Sequence, residues 1–345
     1  MKHILLIAAA LLVSLTTSTA RAEGETLTVA LTGDIMMGTT FPGKQLPPQE
    51  GRQLFVHVSP ILQRTDVTAG NLEGTLCDGG TTTKKVSNVC YAFRTPTAFA
   101  PRLREAGYDM LSLANNHARD FGEYGCTTTM RALRAQGIAY AGLKEHPATA
   151  VIVRGGVRYG FCAFGHNGYT YRTQDLETAA RIIDSLRPRC DILIVSFHGG
   201  AEGRTKNRVP HGTETFLGED RGNLREFTHF CVDHGADVVY GHGPHVVRGV
   251  ELYRNRFIAY SLGNFCTPYG VSLTGISGYA PIIELTIARD GSFRTGHIHS
   301  FIQQRGLGPR RDTTHVVAQE ISRLSALDFP QSPLSITCEG VITRR

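Results

Sequence analysis

Asp34, Glu73, Asn116, His117, His198, His242 and His245 are spread over about 210 positions, yet they share a placement, and Asp120 is a nearby carboxylate that reads as structural. Gly33-Asp34 ends an apolar run from Leu27 to Thr32, and Asn115-Asn116-His117 ends a run from Asp109 to Leu113. His198 ends Asp191 to Phe197, and Gly241-His242-Gly243-Pro244-His245 ends Asp237 to Tyr240. Asn71-Leu72-Glu73-Gly74 follows Asp66 to Ala69 as a loop. In an open α/β sheet the carboxyl ends of parallel strands form the ligand crevice, so these groups are expected to converge. Carboxylates, an amide oxygen and imidazoles without a thiolate suit Mn, Fe or Zn. A pair of ions would use this many ligands, activating water and neutralising charge on a phosphate-like substrate.

The elements that must position these residues alternate between strand and helix, the pattern of an α/β protein. Thr97 is expected to cap an amphipathic helix carrying Phe99, Leu103 and Ala106, ended by Gly107. Glu123 to Gln136 reads as a helix stopped by Gly137, and Arg158 to Phe164 as a strand. Leu176, Ala179, Ala180, Ile183 and Leu186 form the apolar stripe of a further helix, and Leu224, Phe227 and Cys231 that of another. Beyond about residue 255 the chain reads as antiparallel additions, including Ile282 to Ala288 returning through Asp290-Gly291. That return carries Gly296-His297-Ile298-His299, whose histidines share one strand face and read as structural. His166, after the Arg158 strand, and Glu202 stand near the expected crevice.

The chain has 345 residues, 41% hydrophobic and 19% charged, with 38 glycines, which excludes a disordered or fibrous protein. Lys2 and His3 precede an apolar run from Ile4 to Val13, followed by Ala20-Arg21-Ala22, the form of a secretory signal cut after Ala22. That run is too short to span a bilayer, which takes about 20 residues. The expectation is a periplasmic or secreted protein with no stable membrane span. Loss of Lys2 and Arg21 lowers the formal charge from +6 to +4, and no basic run is present, which argues against a nucleic-acid partner. An anionic envelope polymer or phosphoester remains compatible. Eight cysteines without a CxxC pair suggest disulfides in an exported chain, and Cys77 and Cys90, flanking a polar loop, are the expected pair. A nucleophile elbow, a phosphate-binding P-loop and a dinucleotide fingerprint are all absent from the sequence.

The strings LTGDIMMG (31–38), NLEGTL (71–76), FRTP (93–96), SLANNHARDFG (112–122), SFHGGAE (196–202), GADVVYGHGPHVVRGVE (235–251) and YSLGNF (260–265) resemble the CapA family of poly-γ-glutamate capsule biosynthesis proteins. The resemblance covers about residues 27 to 266 and implies a variant of the calcineurin-like metallophosphoesterase fold: layered α/β, with helices around central sheets and antiparallel C-terminal additions. It implies Asp34, Glu73, Asn116, His198, His242 and His245 as ligands for one or two divalent ions, with His117 as proton donor or substrate-orienting group and Asp120 beside it. Met36 stands where the DxH pattern of standard phosphoesterases has its histidine, and His242 and His245 are three apart, not two.

The expected organisation is a signal over 1–22, a CapA-like domain over 23–300 and an extension over 301–345 packed on it. The expected function is that of a divalent-metal-dependent hydrolase of capsule or envelope polymer metabolism, working with the capsule-synthesis machinery. The alternative is a noncatalytic polymer-handling or capsule-assembly protein that keeps the fold.

Overall fold

The computed structural model describes residues 26–82, 84–85 and 91–345, so the expected signal segment and Cys90 lie outside the described residues. Two sheets carry the expected site. In chain order the relevant strands are β1 (Thr26–Ile35), β2 (Val67–Leu72), β3 (Met110–Ser112), β4 (Ile192–His198), β5 (Val238–His242) and β6 (Asn264–Cys266).

The first sheet has nine strands among the described residues, with β1, β2, β3 and Ala139–Ala141 parallel in that order. β6 pairs parallel to the end of β1, whereas Ile282–Ala288 runs antiparallel along its length. The second sheet has six strands, its parallel centre being Val157–Phe164, β4, β5 and Arg256–Ala259.

Alternation of side chains along each strand explains the layering. Val29 and Leu31 of β1 face a core shared with Phe161, Ile194 and Tyr240 of the second sheet. Ala30 faces the opposite way, towards Leu103 of helix Ala100–Ala106 and Leu133 of helix Gly122–Ala135. The far side of the second sheet, Leu193, Val195 and Val239, packs on Ile183 and Leu186 of helix Leu176–Leu186 and on Phe227 and Cys231 of helix Leu224–Asp233. The result is helix, sheet, sheet, helix, the layered α/β class the sequence indicated. Both β4 and β5 are buried throughout, as expected for parallel strands covered on both faces.

Two expectations need correction, and the last stretch adds an element that the sequence did not indicate. Thr97 does not cap the following helix: it begins a short 3-10 turn, and its N–H and hydroxyl both donate to Asp78 while the helix proper starts at Ala100. The weakly periodic last stretch contains a 13-residue helix, Val316–Asp328, which inserts Val317, Ile321 and Leu324 into the core between the sheets. Leu334–Ile336 and Val341–Arg344 then complete the edge of the nine-stranded sheet. Finally, Cys77 is a buried free thiol that donates to the Gly79 carbonyl, so the expected Cys77–Cys90 bridge is not made at its described end.

Candidate metal centre

The carboxyl ends of the two parallel centres meet. Asp34, near the end of β1, is in register with Asn71 at the end of β2 and with Asn264 at the start of β6. His198 and His242 end β4 and β5 as direct partners. Close backbone approach makes this possible: a Cβ on Gly33 would lie 2.0 Å from the Gly263 carbonyl oxygen. Gly243 holds φ +118 with the Gly199 carbonyl 2.4 Å from where a Cβ would stand, so the chain can turn sharply between His242 and His245. His245 itself sits at φ 57, a left-handed conformation that a β-carbon disfavours.

Asp34 is the hub. Its Oδ1 lies 3.1 Å from His242 Nδ1, its Oδ2 3.1 Å from His245 Nδ1, and Asn71 Nδ2 donates to Oδ1 at 2.9 Å. The same Asn71 amide donates to Glu73 Oε2 at 3.0 Å, and Asn115 Nδ2 donates to Asn71 Oδ1, fixing the orientation of that amide. Glu73 lies 3.6 Å from both His198 Nε2 and His245 Nε2. Asp34, Glu73 and His245 can each offer a ligand atom within 4.8 Å of the others.

The buried charges of the cluster shift one another. Burial would raise the Asp34 carboxyl, but its contacts with His242 and His245 hold it well below the usual carboxylate range. Burial, followed by repulsion from Asp34, pushes Glu73 up to about 8. Burial opposes charge on His245, yet Glu73 and Asp34 outweigh it and raise the imidazole to about 10. Without an ion the cluster thus draws its positive charge from its own histidine.

The donors fit a divalent ion. Glu73 Oε1, both ring nitrogens of His198 and Nε2 of His242 are buried without a hydrogen-bond partner, a costly arrangement for a closed core. Oxygen and imidazole donors without thiolate match the expected metals. Asn116 stands apart from these contacts, though its Oδ1 is also buried and unpartnered. Met36 is buried beside the site with its sulfur accepting from the Gly38 N–H.

His117 lies on the cavity wall against the Phe93 ring, with centroids 4.5 Å apart. Asp120 is fully buried and does not line the cavity: its carboxylate accepts from the Phe93 N–H, contacts Lys84 Nζ at 2.5 Å and lies 2.9 Å from His117 Nδ1. It orients His117 and leaves Nε2 unengaged by this pair. Lys84 Nζ also donates to the Asn116 carbonyl.

Lys84 and Arg221 carry no signal in the sequence, whereas His166, expected near the crevice, is found there. Arg221, almost fully buried, joins Glu202 at 2.9 Å to Glu219 at 3.1 Å. His166 stacks on His198 with centroids 5.5 Å apart and lies 3.5 Å from Glu219. The hairpin that supplies Glu219 and Arg221 joins neither main sheet, so no strand-end signal could find it. His297 and His299 stack on one another on their strand; His299 binds Glu284 and His297 approaches the Glu339 carbonyl, so neither joins the site.

Residues 28–269 match the family described as bacterial capsule synthesis protein PGA_cap. The capsule biosynthesis protein CapA of Bacillus anthracis is 30% identical over 273 residues, covering 73% of this chain and 62% of that protein. The PGA biosynthesis protein CapA of Bacillus subtilis is 26% identical over 288 residues, covering 78% and 70%. The chain thus spans about three fifths of the length of the first of these relatives. Among solved structures, a phosphatase from Mycoplasma pneumoniae is similar with a TM-score of 0.49 at 10% identity, covering 81% of this chain and 94% of that one.

Proposed function

The chain belongs to the bacterial capsule synthesis protein PGA_cap family, and from that membership we propose that it is a divalent-metal-dependent hydrolase of capsule or envelope polymer metabolism. The observation that carries this reading is the set of buried, unpartnered donors on Glu73, His198 and His242 around Asp34. A bound divalent ion supplies a Lewis acid for an ester or amide oxygen and lowers the pKa of a water. Asp34, Glu73, His198, His242 and His245 would hold it, with Asn116 beside them. His117, its Nδ1 fixed by Asp120, presents Nε2 as the group that moves a proton at the scissile bond. Lys84 neutralises Asp120, and the Phe93 ring keeps water from that side.

The substrate in this reading is a phosphoester or a bond within an anionic envelope polymer, handled alongside the capsule-synthesis machinery. Export past the inner membrane, with cleavage after Ala22, belongs to the same proposal; N-terminal sequencing of the mature protein tests it. Among the described residues no helix is long and apolar enough to cross a membrane.

Met36, which stands in place of a ligand histidine, favours a second reading: a polymer-handling protein with one structural ion. Metal stoichiometry by plasma mass spectrometry, on protein purified without a metal-affinity tag, separates the two when combined with a phosphodiester and polyglutamate screen. Bound Mn, Fe or Zn with turnover supports the hydrolase. One ion without turnover supports the second reading, and no ion after reloading overturns the hydrolase and leaves a polymer-handling protein without metal.

A further inference from the structure

The cavity over the metal centre, about 450 Å³, is not the end of the cleft. A second compartment of about 490 Å³ adjoins it, and Tyr91, Phe93, Gly270 and Val271 line both. Gly270 keeps them continuous: it holds φ +80, and a Cβ there would lie 2.9 Å from the Phe93 ring and 3.0 Å from the Met36 methyl. The second compartment carries Phe41, Pro42, Thr39, Gln45 and Arg305 and, among the described residues, adds no carboxylate.

Each compartment also has a cation of its own. Arg204 lines only the compartment over the metal centre and Arg305 only the second. Both are exposed, and among the described residues neither forms an ion pair with a carboxylate; Arg305 lies over the Tyr269 ring at 5.5 Å. Most other arginines that line or border this face are engaged. Arg221 is bound by Glu202 and Glu219, and Arg94 donates to Thr40 while lying over the Phe41 and Phe121 rings. A site for one small phosphoester needs only the first compartment. Two joined compartments, each with an unneutralised guanidinium, suit a ligand that repeats its negative charge along a chain.

We propose that the cleft binds a linear oligo-anion, one anionic group per repeat, across both compartments, with Arg305 taking a group distant from the one at the metal centre. This rests on the polymer reading above and narrows it to a chain threaded through the site, not a terminal phosphate docked at it. Two sources share the chemistry, a γ-glutamyl chain and a glycerol phosphate chain.

Calorimetric binding to the full mature protein tests the proposal without requiring turnover. The probes are γ-linked glutamate oligomers of two units and of about ten units, and glycerol phosphate oligomers of matching length. The expected result is that the longer chain of one series binds at least about tenfold tighter than its dimer, because the second contact is intramolecular. Arg305→Ala should remove that length dependence and leave dimer affinity unchanged, and Arg305→Lys should restore part of it. The series that shows the effect identifies the source. Equal affinity at both lengths in both series, or a length dependence untouched by Arg305→Ala, overturns the proposal. Length-dependent binding without turnover by the metal-loaded protein leaves the cleft assignment standing and removes the hydrolase reading.

Discussion

His242 Nδ1 lies 3.1 Å from Asp34 Oδ1, and this one contact joins the end of a strand in the six-stranded sheet to the end of a strand in the nine-stranded sheet. Elsewhere the sheets are held mainly by apolar packing, which fixes spacing but not the orientation of polar groups, with Tyr240 Oη donating to the Gly70 carbonyl at 3.1 Å as a further polar link. The polar seam at their carboxyl ends therefore sets both the geometry of the site and its charge.

His198→Ala and Asn116→Ala are each expected to abolish metal retention while leaving the fold intact. His198 is fully buried with both nitrogens unpartnered, so its removal leaves no broken hydrogen bond, only a lost donor and a small cavity. Metal content by plasma mass spectrometry, with circular dichroism as the control, checks this. Unchanged metal in both variants removes these residues from the ligand set.

The strand ends were legible because β4 and β5 are short apolar runs bounded by polar residues, and burial on both faces leaves no other reading for them. Asp34, His198 and His242 follow directly from that. His245 belongs to the same strand end, but Gly243, Pro244 and its own left-handed backbone set it off from the strand, so its contact with Asp34 had no signal in the sequence. Asn71 was visible only as part of a loop; that its amide bridges Asp34 and Glu73 depends on register between β1 and β2, which sequence periodicity does not carry. Lys84 and Arg221 lie outside the main sheets and had no periodic signal at all. The helix Val316–Asp328 was missed because it starts from His315 in a left-handed conformation without a side-chain cap.

Asp120→Asn is expected to lower turnover by about a hundredfold or more, the scale of a lost proton-transfer group, with metal content unchanged. Asp120 touches His117, Lys84 and the Phe93 N–H but no residue of the Asp34 cluster, so its effect should appear in turnover and not in metal retention. A chromogenic phosphodiester assay of metal-loaded protein makes the comparison. Equal loss of metal and of turnover would show that Asp120 supports the ion instead.

Arg248 is the largest fully buried side chain, and its two terminal nitrogens meet Glu214 Oε1 and Oε2 at 2.7 and 2.8 Å. Its Nε donates to the Lys206 carbonyl, so it pins the loop that presents Glu202 and Arg204 to the cavity. Breaking one side of a buried pair strands the other charge, so Glu214→Ala should cost about 3–5 kcal/mol. Urea unfolding measures this, and a loss under about 1 kcal/mol would mean that water reaches the guanidinium.

His166 carries the clearest pH signature. Burial, then the neighbouring His198 and Arg221, depress its imidazole to about 2, against 6.5 for the ordinary group. A depressed histidine favours the neutral form, so below pH 6.5 the unfolded chain takes up a proton that the folded chain refuses. The stability this group contributes is therefore present above 6.5 and is lost as pH falls towards its folded value. The slope is about 1.4 kcal/mol per pH unit. His166→Gln removes the titration, whereas His198, Glu73 and His245 titrate alike in both proteins and largely cancel in the difference. In chelator-treated protein, the unfolding free energy of wild type relative to His166→Gln should thus fall by about 1.4 kcal/mol between pH 5.5 and 4.5. A pH-independent difference would place a proton on His166 in the folded state, held by Glu219 at 3.5 Å.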